Sequence, residues 1–254
     1  MSLLSVRGLS RSFGGLRAVD CVGFEAEEDR ITAVIGPNGA GKTTLFNLIS
    51  GSLKPDSGKV LFDGADITGM KPYRVARRGI SRTFQAVRLS KKMSALENVM
   101  IGRHVRSRAG FLEGMIAAPW TRREERSVRE EAMKAIELLG IAEYAGKETG
   151  SLPFGIQRSV ELARALASEP RLLLLDEPAS GLNVRETRML AELIVRIRDR
   201  GISILVVEHD MSLVMDISDE IVVLNFGEKI AQGAPREIQG NKEVIEIYLG
   251  EEDA

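Results

Sequence analysis

Ile31 to Gly51 reads ITAVIGPNGAGKTTLFNLISG, and the fold turns on how this stretch is read. The run ITAVI is apolar and rich in β-branched residues, the composition of a strand buried on both faces. GPNGAGKTT, Gly36 to Thr44, then matches G-x-x-x-x-G-K-[ST] in the context that pattern requires, after a strand and before the helix-compatible TLFNLISG. Glycines let backbone N–H groups curl round phosphate oxygens, and the helix N-terminus adds its dipole. The candidate nucleotide-contacting residues are therefore Gly36, Asn38, Gly39, Ala40, Gly41, Lys42, Thr43 and Thr44. Lys42 would reach the β- and γ-phosphates, and the Thr43 hydroxyl would ligate Mg²⁺. A glycine-rich turn without a ligand is the bland alternative, disfavoured by the matched strand and helix.

Working outward, RLLLLD (Arg171 to Asp176) and ISILVVE (Ile202 to Glu208) are further apolar runs of strand length. Between them Met189, Leu190, Leu193, Ile194 and Ile197 recur near the helical period, as do the apolar residues of ELARALA. Strands alternating with helices imply a mostly parallel sheet covered by helices. LLLLDEP delivers Asp176 to the strand's carboxyl end as a Mg²⁺ ligand, with Glu177 beside it to polarise an attacking water. His209 in ILVVEHD should emerge at the same carboxyl edge, where ligands of open α/β sheets collect.

Two regions depart from this plan. The opening third alternates apolar and polar residues between Gly and Asp turns, the pattern of antiparallel strands lying beside the main sheet. From about Ala86 to Gly150 the pattern is helical, with Val128, Ala132, Ala135, Ile136 and Leu139 on one face and Gly140 as the stop. The expected architecture is one α/β unit over 1–254. A P-loop NTPase (RecA-like) core, 1–85 and 166–254, carries an antiparallel β subdomain, and an α-helical subdomain over 86–165 is inserted in it.

Composition narrows the function. The formal charge of −1, with 28% charged residues of both signs, lacks the basic excess of a nucleic-acid binder. One cysteine and two histidines offer neither an internal disulfide nor a structural zinc cluster, and Cys21 reads as a small buried hydrophobe. The opening MSLLSVRGLSRSFGG has no apolar core before a cleavage site, and no segment has the ~20 uncharged apolar residues of a spanning helix. The expectation is a cytoplasmic protein that reaches a membrane only through a partner.

The order GPNGAGKTT, Gln85 in SRTFQ, a loop before the ELARAL helix, LLLLDEP, SGLN and EHD resembles the ATP-binding subunits of ABC transporters over essentially the whole chain. RSFGGLRAVD, VLFDGADITG, GISRTFQ and the ending EVIEIYLG are similar to the LivG-type ATPases of branched-chain amino acid importers. The resemblance implies ATP hydrolysis that powers an importer, with ATP and Mg²⁺ as cofactors. It implies that Phe13 stacks on adenine, although by itself Phe13 reads equally as a core aromatic. It also implies that Gln85 senses the γ-phosphate through Mg²⁺ and water, that Glu177 is the catalytic base, that His209 contacts the γ-phosphate, and that Gly181 and Asn183 of SGLN communicate across a dimer. The implied partners are a second ATP-binding subunit placed head to tail, the membrane permease subunits, and indirectly a substrate-binding protein outside the membrane.

Two stretches fit less closely. LPFGIQR stands where that family has LSGGQ: Leu152 and Gly155 match, while Pro153 replaces serine, Phe154 a glycine and Ile156 the glutamine. The resemblance makes Leu152 to Gly155 the signature that meets a partner's nucleotide, here reduced to backbone amides at the start of a helix expected over Gln157 to Ala167. Between Gly102 and Arg129, seven arginines and three glutamates surround FLEGMIAAPW with the lone Trp120. This segment is either a solvated loop folded back on the helical lobe or a contact for the permease or anionic lipid. Two other functions share the nucleotide motifs. A DNA-repair or chromosome-organising ATPase would carry far more than the roughly sixty residues that separate Gln85 from the signature, and a P-loop kinase has less use for Glu177 and His209.

Overall fold

The computed structural model describes residues 2–83, 88–103 and 119–252. Two sheets form the frame. The first is antiparallel, in the order β2-β1-β4-β5, from β1 (Ser2–Phe13), β2 (Leu16–Glu27), β4 (Ser57–Phe62) and β5 (Ala65–Asp66). The second runs β10-β9-β3-β8-β7-β6, from β3 (Ile31–Ile35), β6 (Ile80–Arg82), β7 (Leu172–Asp176), β8 (Ser203–Val207), β9 (Glu220–Asn225) and β10 (Glu228–Gly233). It is parallel throughout except for β10, which pairs antiparallel with β9.

Every residue of β3, β7 and β8 is buried, and the reason is visible in where alternate side chains go. Leu173, Leu175, Ile204 and Val206 enter a core shared with the helices, whereas Leu172, Leu174, Leu205 and Val207 enter one shared with the antiparallel sheet. A strand with apolar material on both faces has no polar alternation to keep. α1 (Lys42–Ile49) follows β3 directly and buries Leu45, Phe46, Leu48 and Ile49 in the second core.

The helical side holds α3 (Ala95–Gly102), α4 (Pro119–Leu138) and α5 (Phe154–Leu166). α3 starts at Ser94, whose hydroxyl accepts the Glu97 amide while the Glu97 carboxylate accepts the Ser94 amide, a reciprocal cap that fixes the boundary. Ala132, Ala135, Ile136 and Leu139 face one core with Ala95, Val99 and Leu162, as their spacing predicts. Gly140 at φ +69 ends that run. α6 (Val184–Arg198), α7 (Met211–Ile217), α8 (Pro235–Gln239) and α9 (Lys242–Glu252) complete the chain, with α2 (Pro72–Arg78) before β6. Among the described residues no helix is long and apolar enough to cross a membrane.

Three sequence readings are corrected. Cys21 is exposed rather than buried: the β1–β2 register shifts between the Leu9–Val22 and Arg11–Val19 pairs, and at this bulge Cys21 takes φ +51, which turns its side chain outward. α5 begins at Phe154, not Gln157, because Pro153 sits at the N-cap with extended ψ and its carbonyl already accepts the Gln157 amide at 3.0 Å. Met189 is 55% exposed; the buried stripe of α6 is Leu190, Ile194 and Ile197, an i, i+4, i+7 line that leaves Met189 to its flank.

Candidate active site

The phosphate loop is held by close backbone packing. A Cβ on Gly36 would lie 2.1 Å from the Leu224 carbonyl oxygen, and one on Gly41 2.2 Å from that of Ala18. Both glycines have positive φ, so any side chain there meets both a clash and strain. The Gly227 amide donates to the Ala40 carbonyl at 3.1 Å, and the Asp20 amide to the Gly227 carbonyl at 2.8 Å. The loop is thus clamped between the β9–β10 turn and β2. The buried Lys42 ammonium donates to the Gly36 and Pro37 carbonyls at 2.6 and 2.9 Å, which keeps it folded across its own loop.

Beside it opens a cavity of about 280 Å³ lined by Asn38, Gly39, Ala40, Gly41, Lys42, Thr43, Thr44 and Glu177, with Leu16, Arg17, Ala18 and Phe226 at its rim. The sequence-predicted loop and the acid after β7 therefore meet in one place, although they are separated by over a hundred residues. Gly36 is turned away from the cavity, against β9. Glu177 takes φ +46, an uncommon conformation for a side chain of its size. Its amide donates to the Val207 carbonyl at 2.9 Å.

Asp176 is buried, and its Oδ2 accepts from Arg82 at 2.7 Å. The same guanidinium donates to Asn47 Oδ1 at 2.7 Å and Ser50 Oγ at 2.9 Å. His209 Nδ1 stands 3.9 Å from Glu177 Oε2 and 3.8 Å from Glu208 Oε2. Glu208 is fully buried. Its carboxylate accepts the Ala179, His209 and Asp210 amides at 2.7, 3.0 and 3.4 Å. Burial pushes its pKa above the ordinary glutamate range, against the pull of those amides.

The other predicted residues lie elsewhere. Phe13 is 44% exposed at the β1–β2 turn, with the Arg11 guanidinium 5.0 Å from its ring centre, so the core reading is excluded. It does not line the cavity. Gln85, and most of the arginine-rich segment, lie outside the described residues. None of Leu152, Pro153, Phe154 and Gly155 reaches the phosphate-loop cavity. Leu152 is buried in the helical-side core. The Phe154 ring lies over Gly181, close enough that a Cβ on Gly181 would be 3.1 Å from Cε1. Arg158 stacks over the same ring at 5.4 Å and donates to the Ser180 carbonyl at 3.3 Å. Asn183 caps α6: its Oδ1 accepts the Glu186 amide at 3.0 Å, and Glu186 Oε2 accepts the Asn183 amide at 2.9 Å.

Sequence reading missed Arg82, Glu208 and Phe226. Glu208 left a signal, an acid closing an otherwise apolar strand. Phe226, 85% exposed on the β9–β10 turn, left none.

The oxygen donors that line the cavity, the Thr43 hydroxyl and the Glu177 carboxylate, with Asp176 one residue earlier at the end of β7, suit Mg²⁺, a hard cation that keeps most of its shell for phosphate and water. Among the described residues no group of three or more His, Cys, Asp or Glu side chains forms a metal cage, and a phosphate-bound cation needs none.

Comparison with known proteins agrees with this geometry. Residues 19–180 match the ABC transporter family, and residues 228–254 match the branched-chain amino acid ATP-binding cassette transporter family. The chain is 45% identical over 250 residues to the high-affinity branched-chain amino acid transport ATP-binding protein BraF of Pseudomonas aeruginosa, covering 98% of each chain. To LivG of Escherichia coli K12 it is 43% identical, again over 98% of each. A solved ATP-binding cassette in its ADP conformation superposes with a TM-score of 0.86 at 33% identity, over 98% of this chain and 99% of that one. A phosphate loop, an acid-tipped neighbouring strand and this likeness along nearly the whole length lead to one conclusion: the chain belongs to the ATP-binding cassette family of ABC transporters.

Proposed function

We propose that this chain binds and hydrolyses ATP with Mg²⁺ and thereby powers an importer of branched-chain or other hydrophobic amino acids. The observation that carries the proposal is the single cavity joining Lys42, Thr43 and Glu177. The loop amides and Lys42 hold the phosphates, and the ammonium exchanges the Gly36 and Pro37 carbonyls for phosphate oxygens. Glu177 takes the proton from the attacking water, and His209 closes the site from the β8 side. Thr43, Asp176 and Gln85 would hold the Mg²⁺, which would offset charge on the phosphates. Phe13 supplies a face for the adenine.

Signature residues absent from a chain's own cavity are supplied by a second ATP-binding subunit, whose Leu152–Gly155 counterpart faces this phosphate loop. In this reading Gly181 and Asn183 lie at the junction. The helical lobe, 86–165, docks permease subunits at the cytoplasmic face of the membrane, and a substrate-binding protein on the far side acts only through them. No nucleic acid takes part. The name of the BraF relative supports the amino-acid assignment.

Steady-state ATPase measurements test the reading. The purified chain should hydrolyse ATP without stimulation by DNA, and Glu177→Gln should bind ATP while losing turnover. Turnover near the wild-type rate in Glu177→Gln, or strong stimulation by DNA, overturns it.

A further inference from the structure

Among the described residues, the catalytic reading above leaves the completely buried Glu208 without a part. We infer that Glu208 is a positioning residue, whose carboxylate ties the turn carrying Glu177 to the turn carrying His209. The inference rests on the roles proposed for those two residues.

The bonding pattern is specific. Oε1 accepts the Ala179 amide at 2.7 Å, two residues after Glu177, while Oε2 accepts the His209 and Asp210 amides at 3.0 and 3.4 Å. Each oxygen therefore serves a different strand end, β7 on one side and β8 on the other. Donors face the carboxylate from both sides, and an amide side chain would set its own NH₂ against one of them. A buried carboxylate is costly, and charged acceptors of backbone N–H groups are the strong kind of hydrogen bond that offsets such a cost.

The turn being held is strained. Glu177 sits at φ +46, and a side chain persists in that region only when its surroundings over-determine it. The bonds that do so are Glu177 N–H to the Val207 carbonyl at 2.9 Å, Ser180 N–H to the Glu177 carbonyl at 3.1 Å, and the Ala179 amide on Glu208. On the far side His209 stands between two carboxylates, 3.8 Å from Glu208 and 3.9 Å from Glu177. One acid lines the cavity and the other is sealed beneath it. Glu208 thus fixes the base and the histidine relative to each other without reaching the nucleotide.

Two variants test this. Glu208→Ser removes the buried charge, and Glu208→Asp keeps the charge on a stem one methylene too short to serve both turns. For each, kcat, KM, melting temperature and the equilibrium Kd for a fluorescent ATP analogue are measured beside wild type and Glu177→Gln. The expectation is a kcat lowered about 10- to 100-fold with Kd changed less than about threefold, because the phosphate loop is untouched. Glu208→Ser placed on His209→Ala should cost less than it does in the wild-type chain, because only the Glu177 turn is then left to be displaced. Wild-type turnover in the folded variants overturns the inference. So does a parallel loss of ATP affinity and melting temperature in both, which marks a purely structural acid, and so does full additivity with His209→Ala. A wild-type chain without ATPase would instead fail the functional reading, whereas normal turnover in Glu208→Ser with none in Glu177→Gln fails this inference alone.

Discussion

The phosphate loop and the LPFGIQR stretch each lead into a helix, α1 and α5, and each has glycine among its residues. They differ in what makes them. The phosphate loop is marked by neighbours in sequence, positive-φ glycines with a strand before and a helix after, even though the backbone oxygens that hold those glycines in place belong to Ala18 and Leu224. LPFGIQR is specified by a segment some twenty-five residues away, where Phe154 covers Gly181 and Arg158 binds the Ser180 carbonyl. Chemistry written in local backbone conformation is read from a motif, whereas chemistry written in contacts between distant loops is not. Replacing the serine and a glycine of LSGGQ therefore has a structural counterpart, a signature braced on the SGLN loop of its own chain.

Five substitutions press on that contrast, and the largest effect belongs to the cavity side. Glu177→Gln should lower kcat by ~10²–10⁴, the usual contribution of a positioned proton acceptor, while ATP binding measured by equilibrium fluorescence stays close to wild type. Gly41→Ala should follow, since its Cβ would sit 2.2 Å from the Ala18 carbonyl oxygen. A loss of about 1–3 kcal/mol in urea unfolding is expected for strain of this kind, together with at least a tenfold weaker ATP affinity. Intact affinity would show that the loop re-forms without its glycine.

On the other side, Gly181→Ala introduces a methyl 3.1 Å from the Phe154 ring at φ +82. It should slow turnover several-fold more than it weakens ATP binding, and Phe154→Gly in the same chain should recover part of the rate. Equal losses with and without Phe154 would separate the two loops. The smallest change is expected from Pro153→Ser in a Glu177→Gln background, where a restored hydroxyl should tighten the ATP-bound dimer by up to about tenfold, one hydrogen bond's worth, by analytical ultracentrifugation. No change would leave this signature with backbone chemistry alone.

The legibility of the rest follows the same division. β3, β7 and β8 were readable because burial on both faces leaves unbroken apolar runs, and Asp176 and Glu177 because they end such a run. Cys21 was misread because a bulge reversed its face, a register effect set by pairing with β1. Met189 was misplaced because periodicity gives a stripe but not its width. The start of α5 was set three residues late because Pro153 opens the helix rather than preceding it. Arg82 was invisible because its significance lies in three partners from two other elements.

That arginine has a mechanical consequence. Asn47 and Ser50 lie on or at the end of α1, the helix that begins with Lys42 and Thr43, while Arg82 ends β6 and Asp176 ends β7. The guanidinium is therefore a crossbar joining three members of the frame. β6 cannot slide or tilt by more than the slack in a 2.7 Å bond without dragging the Asp176 carboxylate or letting it go. A displacement of β6 therefore reaches the Asp176 carboxylate through this side chain as well as through the β6–β7 backbone pairs.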